Sequence, residues 1–197
     1  MNLIDRVQEV LFKPKDTWIK IKEEQITISQ LFTSYAVILA AIPAVATFIG
    51  SSLIGYSFLG LKYRVPVGSA FLIMIFSYII GLIGVYIIGS IINLLAPSFS
   101  SIQNSLNAMK IAIFSFTPAW IGGIFNIIPQ LSPIGLLIAL YGLYLLYLGI
   151  PSLMETPKEK ALGYTIVVIL ISIVVFVIVG IVVGAIGASF YSVKRFY

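Results

Sequence analysis

The chain contains no cysteine and no histidine, and twelve basic with seven acidic residues are all the formal charge in its 197 positions. Without cysteine there is no disulfide framework, no thiol nucleophile and no iron–sulfur ligation. Without histidine the commonest metal ligand and general base is missing. Charge is scarcer than in a soluble domain, at 10% against an ordinary share of about 25%. It is also confined in position. Residues 25–61, 65–109, 111–154 and 161–193 form four charge-free runs of 37, 45, 44 and 33 residues.

About 20 apolar helical residues cross a bilayer's hydrocarbon core, so each run holds at least one crossing and the longest two have room for two. A composition that is 60% hydrophobic, with a mean hydropathy of +1.10, places the chain among integral membrane proteins. It reads as an all-α, polytopic bundle of five transmembrane helices behind a short amphipathic amino-terminal segment, residues 1–27. The net charge of +5 does not indicate nucleic acid, because five of the twelve basic residues alternate with five acids before the first crossing. Met1–Gln25 is too polar for the apolar core of a signal peptide.

Expected spans are about 29–55, 67–96, 108–128, 133–154 and 161–190. In the first, Ala36, Ala40 and Ala44 recur at helical spacing, with Ala46 and Gly50 beside them, and Pro43 introduces a kink. Ser77, Gly81 and Gly84 make a small-residue face on the second, which ends at Pro97. Gly180, Gly184 and Ala188 make a third such face on the fifth. Small residues at this spacing let backbones approach closely in lipid, where packing replaces the hydrophobic drive. The 111–154 run breaks at Pro129-Gln130-Leu131-Ser132-Pro133, where Ser132 is expected to cap a helix opened by Pro133. Because Pro118 and Gly122-Gly123 interrupt its first half, a re-entrant hairpin is an alternative to two full crossings. In Glu155-Thr156-Pro157-Lys158-Glu159-Lys160, Thr156 and Glu159 are placed to form a capping box around Pro157.

Eight basic residues (Arg6, Lys13, Lys15, Lys20, Lys22, Lys110, Lys158, Lys160) fall on one side of this topology. Four fall on the other: Lys62, Arg64, Lys194 and Arg195. That bias puts the amino terminus in the cytoplasm and the carboxyl terminus opposite, in a multi-pass protein of the cell membrane. Tyr56, Phe58 and Tyr63 on one edge, and Phe190, Tyr191, Phe196 and Tyr197 on the closing one, suit the headgroup layer. Before the first crossing, Leu3, Ile4, Val7, Val10 and Leu11 share a face opposite Asp5, Arg6 and Glu9. Pro14 ends that helix, and a second turn carries Trp18 and Ile21. The segment either lies apolar face down in the membrane surface or packs on the protein's own cytoplasmic end.

Transport and intramembrane catalysis draw on ionisable groups at depth. All seven acids lie outside the expected spans, and Lys110 sits one turn inside the third, where it is expected to snorkel to the interface. The alternative is a counter-charge in a cavity. Hydroxyls and amides supply the remaining buried polarity, including Ser115, Thr117, Asn126 and Ser172. Thr117 is expected to satisfy a carbonyl freed by Pro118. Tyr141, Tyr144 and Tyr147 form a stripe that either bonds neighbouring helices or lines a groove. No metal, cofactor or nucleophile–base constellation is legible, so catalysis is not expected.

The opening Arg6-Val7…Pro14…Trp18…Ile21…Glu24, the bent Thr117-Pro118-Ala119, and the run from Tyr141 through Tyr144, Tyr147, Gly149 and Pro151 into Glu155-Thr156-Pro157-Lys158-Glu159-Lys160-Ala161 together resemble the Yip-one (Ypt-interacting protein) domain family. The resemblance covers roughly residues 6–185. It implies five crossings, a cytoplasmic amino end and a role in membrane trafficking or shaping. Eukaryotic members are linked to Rab-type small GTPases through a longer amino region with an Asp-Leu-Tyr-Gly-Pro motif. This chain lacks that motif, is similar to prokaryotic members, and so carries no expectation of GTPase binding. The expected partners are membrane lipid and a protein or second copy meeting the small-residue faces. A transporter or channel for a small or lipidic solute is the alternative, which a cavity lined by Thr117, Asn126 and Tyr144 would favour.

Overall fold

A computed structural model describes residues 2–58 and 61–190. The carboxyl-terminal aromatic and basic residues Tyr191, Lys194, Arg195, Phe196 and Tyr197 lie outside the described residues. The protein is all-α apart from one short hairpin. Its five apolar helical spans are Ile28–Ile54, Val67–Phe99, Ser105–Ile127, Pro129–Met154 and Lys158–Ser189. Each is long enough to cross a bilayer, including both halves of the region that also allowed a re-entrant hairpin.

Two helices precede the spans. α1 (Leu3–Phe12) starts where the Asn2 side chain accepts the Ile4 amide (3.1 Å) and carries Asp5 in its first turn. α2 (Pro14–Glu23) opens on proline, which needs no donor there. Thr17 ties the corner by donating to both Glu9 O (3.0 Å) and Lys13 O (2.7 Å). The first span opens on a capping box in which Thr27 accepts the Gln30 amide (3.2 Å) and the Gln30 side chain accepts the Thr27 amide (3.0 Å). The Thr-x-x-Gln signature for it stands in the sequence at Thr27. At the far end Gly55 turns with φ +85 into an antiparallel pair, β1 (Tyr56–Phe58) and β2 (Leu61–Tyr63), with the Tyr56 and Tyr63 rings stacked at 5.9 Å.

Two expected caps do not form. Ser132 is already helical behind a short 3-10 turn, Pro129–Leu131, and its side chain makes no cap bond. Thr156 is engaged elsewhere: it accepts from Ser101 (2.8 Å) and donates to Ile150 O. The fifth span therefore starts at Lys158, with the amides of Lys160 and Ala161 bonded to Pro157 O. At Thr156 another loop, carrying Ser101, competes for the hydroxyl.

The third span is the least hydrophobic of the five and the most buried, whereas the fifth is the most hydrophobic and the least buried. Apolarity here tracks contact with lipid. Ala108 to Ser115 are eight consecutive buried residues, so the third span is enclosed on every face by the first, second and fourth spans and by the amino-terminal helices. Its helix breaks at Phe116, just before Pro118, and resumes over Thr117–Gly122. Close backbone approach holds it to the fourth span. A Cβ placed on Gly122 would stand 2.8 Å from Gly135 O, and one on Gly135 would meet Gly122 O in return.

A side chain at either glycine must drive the two helices apart. Gly135→Val is expected to cost about 1–3 kcal/mol and to lower the thermal midpoint in detergent. Gly180→Val, where an added Cβ meets nothing within 4 Å, should leave that midpoint unchanged in the isolated chain. Equal midpoints for the two variants would refute the packing described.

Candidate functional site

The polar residues of this chain converge where α1 and α2 sit on one end of the bundle. Val10, Trp18 and Ile21 are fully buried there, and the indole of Trp18 lies against the fourth span at Gly149 and edge-on to Phe114 of the third. Each such side chain contributes about 1.5–3 kcal/mol on burial. Of the two placements left open by sequence, the helical pair takes the one on the protein itself. Its apolar face is not the one expected in full, because Ile4 is 63% exposed and Arg6, placed on the polar face by sequence, is 3% exposed. Ile4, Phe12 and Ile19 point away from the bundle.

Lys110 lies beneath α2. It is 1% exposed, and its Nζ donates to Ile21 O (2.7 Å) and Glu24 O (2.9 Å). The last carbonyls of a helix have no partner within it. The ammonium supplies one, at the negative end of the helix dipole. Rather than snorkelling to the interface, the lysine is covered by α2. Arg6 makes a second cationic anchor, pairing with the Glu24 carboxylate, lying 3.8 Å from Glu9 and standing over the Phe114 ring at 5.8 Å. Glu24 thus receives Lys110 through its backbone and Arg6 through its side chain. Lys22 pairs with Glu155 (2.7 Å) in an exposed contact of modest worth. Glu9 accepts from Lys20 (2.6 Å), and that hydrogen bond, opposed by partial burial, holds its carboxyl below the usual 4.5.

Tyr141 joins this end, donating to Leu11 O (3.0 Å). Its companions do not: Tyr144 and Tyr147 are both exposed on the outer face of the fourth span, Tyr144 keeping only a ring contact with Tyr141. Thr117 is fully buried, and its hydroxyl meets the Tyr35 phenol (2.8 Å) rather than a carbonyl freed by Pro118. Asn126 sits near the opposite end, where it donates to Thr47 (3.2 Å). Thr117, Asn126 and Tyr144 therefore line no common cavity. Lys160 donates to Ser100 (2.8 Å), and Lys158 is exposed.

The small-residue faces divide. Ala36 is spent on internal packing, whereas Ala40, Ala44, Ser77 and Gly81 border a lateral cleft between the first and fifth spans, walled by the second. Gly180 and Gly184 face open space. Sequence reasoning missed the partners of Lys110 and Arg6. The one available signal was the mismatch between Arg6 and the otherwise regular apolar face of α1.

The family model described as the Yip1 domain matches residues 9–180, from the middle of α1 into the fifth span. The chain is 30% identical over 149 residues to the inner membrane protein YohC of Escherichia coli strain K12, covering 74% of this chain and 76% of that protein. YohC of E. coli O6:H1 strain CFT073 gives the same figures. No solved structure matches.

Lys110→Met removes both bonds to α2 while keeping the stem's bulk. Bonds to charged donors contribute about 1.5–3 kcal/mol, so trypsin should cut after Lys20 and Lys22 about ten- to a hundredfold faster in the variant. Unchanged cleavage would show that Lys110 does not hold α2. A group with a lowered folded pKa stabilises above its unfolded value and loses that contribution as pH falls through the lowered one. The Glu9–Lys20 link between α1 and α2 should accordingly be complete above about pH 4.5 and weaken below it. Glu9→Gln should flatten that acid limb, followed through Trp18 fluorescence in a Trp120→Phe background.

Proposed function

The chain belongs to the Yip1 domain family, and we propose that it is a non-enzymatic protein of the cell membrane that organises membrane or partner proteins through helix–helix contacts. The observation that carries this reading is the fifth span. It is the longest unbroken helix, 33 residues, and the least buried of the spans. It leans on the second and fourth spans over part of its length. Its Gly180 and Gly184 present backbone with nothing within 4 Å of an added Cβ. Glycine weakens a helix unless its missing side chain is put to use, and in lipid the use is close approach of another helix. A second copy or a partner's transmembrane helix supplies it. Gly184 lies four residues beyond the matched family region.

The interior favours this reading over transport. Several of its buried polar side chains are paired with one another or with backbone carbonyls: Tyr35 with Thr117, Tyr164 with Ile92 O, Lys110 with α2. The basic residues, eight to four, support a cytoplasmic α1–α2 end. A cation-latched helical pair there is the natural platform for a soluble partner, though not for a small GTPase recognised through a longer amino region.

The lack of native cysteine makes the test clean. Gly184→Cys, oxidised in native membranes, is expected to give a cross-linked dimer or a defined heterologous adduct, and a Gly180→Leu change in the same chain should reduce it at least fivefold. Neither product, with a strictly monomeric protein, would sink the proposal. Flux of ions or small solutes in proteoliposomes would instead establish the transport alternative.

A further inference from the structure

A lateral cleft of about 310 Å³ opens toward lipid between the first and fifth spans, walled by the second and floored by Phe116 and Trp120 of the third. A smaller cavity of about 90 Å³ shares Ala44, Thr47, Ile73 and Ser77 with it and continues to Ser51, Tyr56, Val65 and Ala70, at the end opposite α1 and α2. The two form one path whose character changes along its length. At the inner end stand Leu82, Val85, Phe116 and Phe176; midway come Val183 and the hydroxyls of Thr47 and Ser77; the outer end carries Ser51 and the Tyr56 ring. From Ala70 to Val85 the second span rises roughly 22 Å, about three quarters of a hydrocarbon core about 30 Å thick.

A cation marks the outer rim. Arg64 immediately precedes Val65, whose amide donates to Ser51 O (3.0 Å), so β2 is stitched to the end of the first span at this mouth. The Arg64 Nε donates to Ile54 O (3.3 Å), which ties the exposed guanidinium to the end of the first span. An exposed guanidinium next to Val65 of the outer cavity's lining, with a largely apolar cleft running inward from there, suits an amphiphile with an anionic head. The geometry points to a phospholipid site: one acyl chain lies in the cleft against Ala44, Ser77 and Gly81, and an anionic headgroup meets Arg64. This goes beyond the organising role and is independent of it, because the cleft and the open glycines of the fifth span are read out separately.

Gly81 gives the test its leverage. It borders the cleft, and an added Cβ there meets nothing within 4 Å, so a leucine can occupy the lipid's place without pushing on backbone. The purified chain is placed in nanodiscs doped with phosphatidylglycerol carrying a diazirine in one acyl chain, irradiated, and its labelled peptides are mapped by mass spectrometry. Label is expected to concentrate on residues 40–47 and 73–85. Gly81→Leu should reduce it there at least fivefold while the outer face of the fourth span labels as before. Ala44→Leu, filling the same space from the first span, should do likewise, and a thermal midpoint in detergent confirms that each variant is folded. Arg64→Gln should abolish a several-fold preference over the matching phosphatidylcholine probe while leaving acyl labelling in place. Even labelling of all lipid-facing helices, indifferent to both cleft-filling variants, would overturn the acyl site. Equal labelling by the two lipids in the unaltered chain would overturn the headgroup assignment.

Discussion

One ammonium organises the end of this protein where its charge is concentrated. Lys110 is an ionised group on the most enclosed span, and a buried charge without partners is far more costly than any packing contact can offset. Its partners are carbonyls that α2 cannot satisfy internally, those of Ile21 and Glu24. Each solves the other's problem. The helix end acquires a cation at the negative pole of its dipole, and the cation acquires acceptors without any carboxylate entering the hydrocarbon region. Trp18 then has a fixed seat against Gly149, Arg6 a fixed path to Glu24, and Tyr141 a fixed carbonyl at Leu11. The amino-terminal helices belong to the bundle because of this pairing; amphipathicity alone would equally have suited them to the membrane surface.

The same economy runs through the spans. Where two helices are neighbours, their backbones nearly touch, as at Gly122 with Gly135. Where the helix faces outward, glycine stands open, as at Gly81, Gly180 and Gly184. Sequence spacing does not separate these two uses. The difference lies in whether another helix has already arrived, and that is fixed by the order of spans. The third is enclosed, so its small residues are consumed. The fifth is peripheral, so its own are not.

This is why the fold was legible in the sequence and the site was not. Charge-free length identifies a crossing on its own, since the bilayer imposes one requirement on every span alike. Five spans follow from residues read one run at a time. Lys110 shows the opposite case. Its position one turn inside the third span was plain, but its acceptors lie 86 and 89 residues away, on backbone atoms that any residue would supply. Composition carries no trace of them. Thr156 failed for a related reason: a local capping signature assumes that no distant group competes, and Ser101 competes for it; Ser132 failed because a 3-10 turn already carries the helix back past it. Thr27 with Gln30 met no competitor, and its box formed.

The two ends of the molecule are consequently built on different terms. At the α1–α2 end two cations, Lys110 and Arg6, are buried and paired within the protein, while Lys13, Lys15, Lys20, Lys22 and Lys158 stay exposed alongside Ile4, Phe12 and Ile19. At the other end, Arg64 stays exposed near a slot that the described residues leave open. A lone exposed guanidinium contributes little to stability, and an unfilled slot forfeits dispersion contacts that a longer side chain at Gly81 would recover. Neither feature serves the isolated fold. Together they cost stability in the same place, and a bilayer offers one abundant molecule that offsets both at once.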